Sequence, residues 1–166
     1  MAKFSVNSHR LDPYKNFRFR VRIGTEYVAG LSKMSPLKRT NEVIEWREAG
    51  DNGTVRKLPG RAKFEALTFE RGVTHDPLFN EWASTVNNPT GDAANSLLDY
   101  RRDIGVEVLN AQGNPALAFK IKRAWVSEYQ ALSEMDANAN AVSIETLKVE
   151  FEGFELDTAV PEPTET

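Results

Sequence analysis

Cysteine is absent from this 166-residue chain, which excludes a disulfide framework and a thiolate metal site and suits assembly in a reducing compartment. Histidine is scarce as well. His9 lies in the leader and His75 just before a helix cap, and two histidines without a ligand-spaced cluster do not make a zinc site. No apolar run approaches the length of a membrane span, so stable membrane insertion is not expected, and residues 1–9 lack the apolar centre of a signal peptide. There is no nucleophile elbow. Gly50, Gly53 and Gly60 are spaced unlike a phosphate loop and lack a lysine followed by Ser or Thr. Catalysis is therefore not expected, nor is a cofactor or a metal.

Excess charge is lacking too. The formal net charge is -3, and the tail from Asp157 to Thr166 holds three acids, Asp157, Glu162 and Glu165, with no cation, so the remaining body is neutral. A neutral body has little self-repulsion, which is compatible with self-assembly, and it lacks the basic excess of a free-standing nucleic-acid binder. The tail 157–166, with Pro161 and Pro163 and few bulky residues, is expected to be disordered. Residues 1–10 are expected to be a flexible leader, which leaves 11–156 as a single domain large enough to bury a core.

What is present reads mostly as strands. From Asn16 to Ile23, Phe17, Phe19, Val21 and Ile23 alternate with Arg18, Arg20 and Arg22, a period of two that places an apolar row on one face and a cationic row on the other. Aromatics and arginines on opposite faces cannot together stack bases and bind phosphates, which argues against a single-strand nucleic-acid reader. Gly24-Thr25 turns the chain into a second strand, Glu26 to Leu31, and Lys33 to Thr40 reads as a loop. Strands are expected over Asn41 to Glu48, with Val43, Ile44 and Trp46 as its bulky residues, and over Lys63 to Arg71, separated by a glycine-rich loop or extended arm from Gly50 to Gly60.

One helix is predicted from Asp76. The aspartate caps it, Pro77 sits where a missing N–H costs nothing, and Leu78, Phe79, Trp82 and Val86 recur at helical spacing. A hairpin follows, Arg101 to Asn110 and Ala116 to Val126 around Gly113-Asn114, pairing Ile104, Val106 and Val108 with Leu117, Phe119 and Ile121. In the last strand the apolar parity flips twice, between Ile144 and Leu147 and between Phe151 and Phe154. Bulges near Thr146 and Gly153 would produce this and let an overlong strand bend from one sheet into a second. The expected fold is mainly β with one principal helix, two packed antiparallel sheets sharing a bent strand.

The order of these pieces resembles the tail-tube family, the inner tube subunits of contractile phage tails and contractile injection systems. The resemblance runs from Leu11 to Leu156. It rests on the Arg strand, Glu48 to Gly53 with Val55 to Gly60, Leu67 to Gly72, the Asp-Pro-Leu-Phe-x-x-Trp helix start, the Gly113-Asn114 hairpin, Ala124-Trp125 and the acidic strand ending Glu150-Phe151-Glu152-Gly153-Phe154-Glu155. It implies a hexameric ring with a continuous central β-barrel, rings stacked into a channel that sheath contraction drives through a target envelope, and cargo protein or DNA in the lumen. The partners it implies are further copies of the chain, a sheath protein, and baseplate and tube-terminator proteins, with assembly in the bacterial cytoplasm and release as a phage virion tail or injection particle. A baseplate tube initiator or adapter of the same fold, or a secreted ring-forming cargo carrier of the type VI kind, are the alternatives.

The resemblance also suggests sites. Asn52, Lys57, Leu58 and Pro59 would lie on the arm that subunits extend to their neighbours. Glu150 and Glu152 would form an acidic stripe facing the sheath, or would pair instead with Arg18, Arg20 and Arg22 across neighbouring strands, where each opposite-charge pair contributes roughly 0.2–1 kcal/mol.

Overall fold

The computed structural model describes residues 3–50, 53–91 and 97–166. In chain order its elements are β1 (Phe19–Ile23), β2 (Glu26–Tyr27), β3 (Leu31–Met34), β4 (Arg39–Trp46), β5 (Arg56–Phe64), β6 (Leu67–Gly72), α1 (Leu78–Val86), β7 (Arg102–Leu109), β8 (Pro115–Gln130), β9 (Ile144–Glu150) and β10 (Gly153–Leu156). The strands run in the order β2-β1-β7-β8-β9-β6-β3, with β10 also on β8 and with β4-β5 as a separate ribbon. β8 belongs to two sheets: its first part pairs with β7 and β10, its last part with β9. The two sheets enclose one core, in which Val21, Ile23, Ile104 and Ile121 meet Leu67, Phe69, Leu147 and Val149.

The expected hairpin forms in register, with Ile104 opposite Ile121, Val106 opposite Phe119 and Val108 opposite Leu117. Its turn is built by Asn110, whose Oδ1 accepts the N–H groups of Gln112 and Asn114, and by Gly113 at φ 86°. The helix also forms where expected. Asp76 Oδ1 accepts the N–H of Leu78 at 3.1 Å, Pro77 precedes the first helical residue, and Leu78, Phe79 and Trp82 are buried. Trp82 can be buried because its indole N–H donates to the Tyr100 carbonyl at 2.9 Å. This stripe lays α1 against β8.

Several boundaries differ from expectation. Phe17 falls in a turn ahead of β1 and is exposed, so the inward row begins at Phe19. The strand expected from Glu26 stops at Tyr27 and resumes as β3 after Gly30 at φ 68°, and β3 with the start of β4 takes both ends of the stretch read as a loop, leaving residues 35–38 as the connection. The run Lys63 to Arg71 is two strands, the end of β5 and β6. The stretch read as the loop Gly50 to Gly60 is strand from Arg56 onward.

At the last strand neither expected bulge exists: near Gly153, Glu150 opposite Trp125 and Gly153 opposite Lys122 keep one register, with two residues between them on each strand. The chain breaks at Phe151-Glu152, between β9 and β10, and there it turns from one sheet into the other alongside β8. β8 bends at the same level, at Arg123, which holds φ 54° with its N–H donating to Asp103 Oδ1. Near Thr146, β9 pairs with β6 in unbroken register from Ile144 to Val149. The inward row there is Glu145, Leu147, Val149, so the apparent parity flip is a carboxylate occupying a core position.

Candidate functional site

Among the described residues the longest exposed run of strand is in the β4-β5 ribbon. Every residue of β4 is exposed, and β5 is exposed except at Gly60 and Phe64. Directly opposed residues of an antiparallel pair share a face, so Ile44 with Leu58 and Trp46 with Arg56 make one face, and Val43 with Pro59 and Glu45 with Lys57 the other. Val43 is 62% exposed, Trp46 54%, Ile44 50% and Leu58 48%. A ribbon of two strands is at best marginally stable in water, and this one leaves four bulky apolar residues uncovered.

The ribbon is held at its root. Phe64 packs against Phe151 and Phe154, with ring centroids 5.6 and 5.9 Å apart, and Lys38 Nζ meets Glu65 Oε1 at 2.9 Å. A bulge lies between Asn41 and Val43. Gly60 faces it, where a Cβ would come within 3.0 Å of the Glu42 carbonyl oxygen, so the close approach of the two backbones requires glycine. Of the expected arm residues, Lys57, Leu58 and Pro59 stand on β5 of this ribbon, while Asn52 lies outside the described residues. The partners of Lys57, Leu58 and Pro59 across the ribbon, Glu45, Ile44 and Val43, were read only as a strand in sequence.

The expected acidic stripe and the arginine row are not brought together. β7 and β8 intervene between β1 and the end of the last strand. Arg20 pairs with Glu107 of β7, Arg22 lies over Gly105, and Arg18 stands beside the ring of Phe17. Glu152 meets Arg101 and Arg123, each at 3.0 Å, and pins the corner where β8 and the last strand bend together. Glu150, half-buried on β9, sits opposite Trp125.

A second charged cluster lies inside. Arg71, fully buried on β6, donates through Nε to Glu145 at 2.7 Å and through its terminal nitrogens to Asp76 Oδ2 and the Asp76 carbonyl, each at 2.8 Å, while its guanidinium stacks 4.1 Å from the Phe79 ring centroid. Tyr129 donates to the remaining oxygen of Glu145 at 2.7 Å. Burial and the Glu145 carboxylate push the Tyr129 hydroxyl up to about 12. The Leu78 N–H, and then Arg71, hold Asp76 below its ordinary value against the opposing effect of desolvation. Every strong polar group of the cluster is matched, which makes it a clamp between β6, β9 and α1. Among the described residues no group of three or more His, Cys, Asp or Glu is placed to hold a metal ion, and no helix is long and apolar enough to cross a membrane.

The leader and the tail lie against each other. Glu162 accepts from the backbone N–H groups of Ser5, Val6 and Asn7 at 2.6, 3.0 and 3.0 Å, and from the Ser5 hydroxyl and Asn7 Nδ2, each at 2.8 Å. Desolvation opposes its charge, yet these donors prevail and bring its pKa to about 2. Asn7, 1% exposed, also donates to the Pro163 carbonyl and accepts the Glu165 N–H. Arg10 pairs with Glu165 and lies over the rings of Phe4 and Tyr14.

The family model of T4-like virus tail tube protein gp19 matches residues 15–155. No curated protein matches the chain. Among solved structures, a chain of the anti-feeding prophage (AFP) baseplate is 21% identical at a TM-score of 0.73, with 89% of this chain and 97% of that chain covered. A chain of the PVC sheath-tube complex, an extracellular contractile injection system in its extended state, is 20% identical at 0.71, with 87% and 91% covered. A type six secretion system protein shares the fold more loosely, at 12% identity and 0.57, with 89% and 90% covered.

Proposed function

The chain belongs to the T4-like virus tail tube protein gp19 family, and from this membership we propose that it stacks as hexameric rings into the rigid inner tube that sheath contraction drives through a target envelope. It is a structural tube subunit, a component of a phage tail or contractile injection particle. One observation carries the finer reading: the β4-β5 ribbon exposes Val43, Ile44, Trp46 and Leu58, and nothing among the described residues covers them.

The ribbon's charges support a head-to-tail arrangement. β5 carries Arg56, Lys57, Arg61 and Lys63 and no acid, whereas β4 carries Glu42 and Glu45, with Arg39 at its root. When the ribbon of one copy lies beside that of the next, a basic edge meets an acidic one, the unpaired backbone groups of both edges are satisfied, and repetition by rotation closes a ring. The closed wall is a channel for protein or DNA cargo. Stacking of rings leaves the outer surface, including Glu150 and Glu152, for the sheath, and the tube ends for baseplate and terminator proteins. The role is mechanical, and assembly takes place in the bacterial cytoplasm before the particle is released.

Negative-stain electron microscopy of the purified protein over a concentration series tests this. Six-fold rings that stack open-endedly are expected. A single capped ring would instead indicate a baseplate initiator, isolated cargo-retaining rings a secreted carrier, and monomers at every concentration would count against unassisted ring closure.

A further inference from the structure

The matched family region covers residues 15–155, so the leader and the tail that grip each other lie outside the shared tube core. Their contact has the form of peptide recognition. The tail segment Glu162-Pro163-Thr164-Glu165 is read at three points: its first carboxylate by five donors of Ser5, Val6 and Asn7, its backbone at Pro163 and Glu165 by the Asn7 amide, and its last carboxylate by Arg10. Consecutive backbone N–H groups aimed at one carboxylate form an anion nest. An amide that donates to one backbone group and accepts from another uses both ends of its hydrogen-bonding capacity on an extended chain. Asn7 and Arg10 are themselves positioned by the leader, through Arg10 N–H to the Asn7 carbonyl at 2.9 Å, Arg10 Nε to the Asp12 carbonyl at 2.8 Å, and the edge-to-face contact of Phe4 with Tyr14.

We propose that the leader is a receptor for an extended acidic peptide and that, in the assembled protein, the peptide it holds is the tail of a second copy of this chain. The proposal rests on the tube reading, which supplies the neighbouring copy. Every copy carries both halves, so a tail that leaves its own leader for a neighbour's exchanges one set of bonds for an identical set. No member of the buried core lies in 157–166, so exchange leaves the core intact. Pro161 and Pro163 stiffen the segment and reduce what is lost on ordering it elsewhere. Neighbours held in a ring present each other's tails at high effective concentration. The exchanged tails would tether copies along contacts separate from the β4-β5 ribbon.

Because the chain has no cysteine, two introduced thiols report this without background. Gln112 donates to the Thr166 carbonyl at 3.1 Å beside the tail's end and outside the Glu162 nest, so the variant Q112C/T166C is assembled, treated with a short bis-maleimide, and run on a denaturing gel, with the same sample imaged by electron microscopy. Exchange gives a ladder of covalently linked chains, and adding E162Q lowers the linked fraction about tenfold, the loss expected for a hydrogen-bonded charge. Rings or tubes whose chains carry only internal links overturn the exchange while leaving the tube reading intact. A ladder that E162Q leaves unchanged overturns the receptor assignment. Neither assemblies nor a ladder overturns the exchange and counts against the tube reading as well.

Discussion

Arg71 and Glu145 occupy paired positions on β6 and β9, with Arg71 fully buried and Glu145 5% exposed, where an apolar pair would complete the pattern of their strands. A buried ion pair is costly to halve, because the survivor keeps its desolvation penalty and loses its compensation. Arg71→Met should therefore destabilise the fold by about 3–5 kcal/mol, read from urea denaturation, and Arg71→Met combined with Glu145→Leu should recover more than half of that loss. Glu162 is the second charge on which a local structure turns. Its folded pKa of about 2 lies below the ordinary 4.5, so its contribution is fully present above 4.5 and is lost as pH falls through about 2. Acid titration followed by NMR should show the Ser5, Val6 and Asn7 amides shifting together over that window, ahead of the amides of β6 and β9. Neither residue's role was legible in sequence. Glu145 looked like a polar position next to a bulge, because which face an isolated carboxylate takes depends on a partner 74 residues away, and Glu162 lay in a segment whose composition reads as disordered.

At the scale of elements, legibility followed periodicity. The β7-β8 hairpin and α1 came through because their apolar spacing repeats long enough to select one geometry, and because Asn110 and Asp76 mark their turns with local hydrogen bonds. The ribbon was legible only in part: Val43, Ile44 and Trp46 announced a strand, but glycines and Pro59 obscured its partner, since Pro59 and Gly60 serve a bulge on an uncovered ribbon rather than a loop. The bend at Arg123 also went unread. Leu117, Phe119 and Ile121 give way to Ala124 and Val126, a change of parity as informative as the one at Gly153. For the ribbon the expected outcome is specific. Leu58→Asp should leave the monomer's thermal unfolding within about 0.5 kcal/mol of the parent, as for surface changes generally, yet abolish tubes in electron micrographs; normal tubes would remove this face from assembly.

For the whole molecule the relevant surfaces are those the monomer leaves uncovered. Glu150→Lys with Glu152→Lys should reduce sheath loading onto preformed tubes several-fold, measured by co-sedimentation, while tube formation persists, because exposed ion pairs such as those of Glu152 with Arg101 and Arg123 contribute only about 0–1 kcal/mol each to the fold. Unchanged loading would assign those acids to the corner alone. The sequence by itself determined the class of fold, the helix, the central hairpin and the family, since each rests on alternation, spacing and turn chemistry that act over a few residues. The tertiary structure alone decided that β8 is shared between two sheets, that a buried Arg71-Glu145 pair stands where a bulge was expected, that β4 and β5 form one exposed ribbon, and that the leader holds the tail. Those are contacts between residues far apart in the chain, and local physics leaves their partners open until the sheets close around a common core.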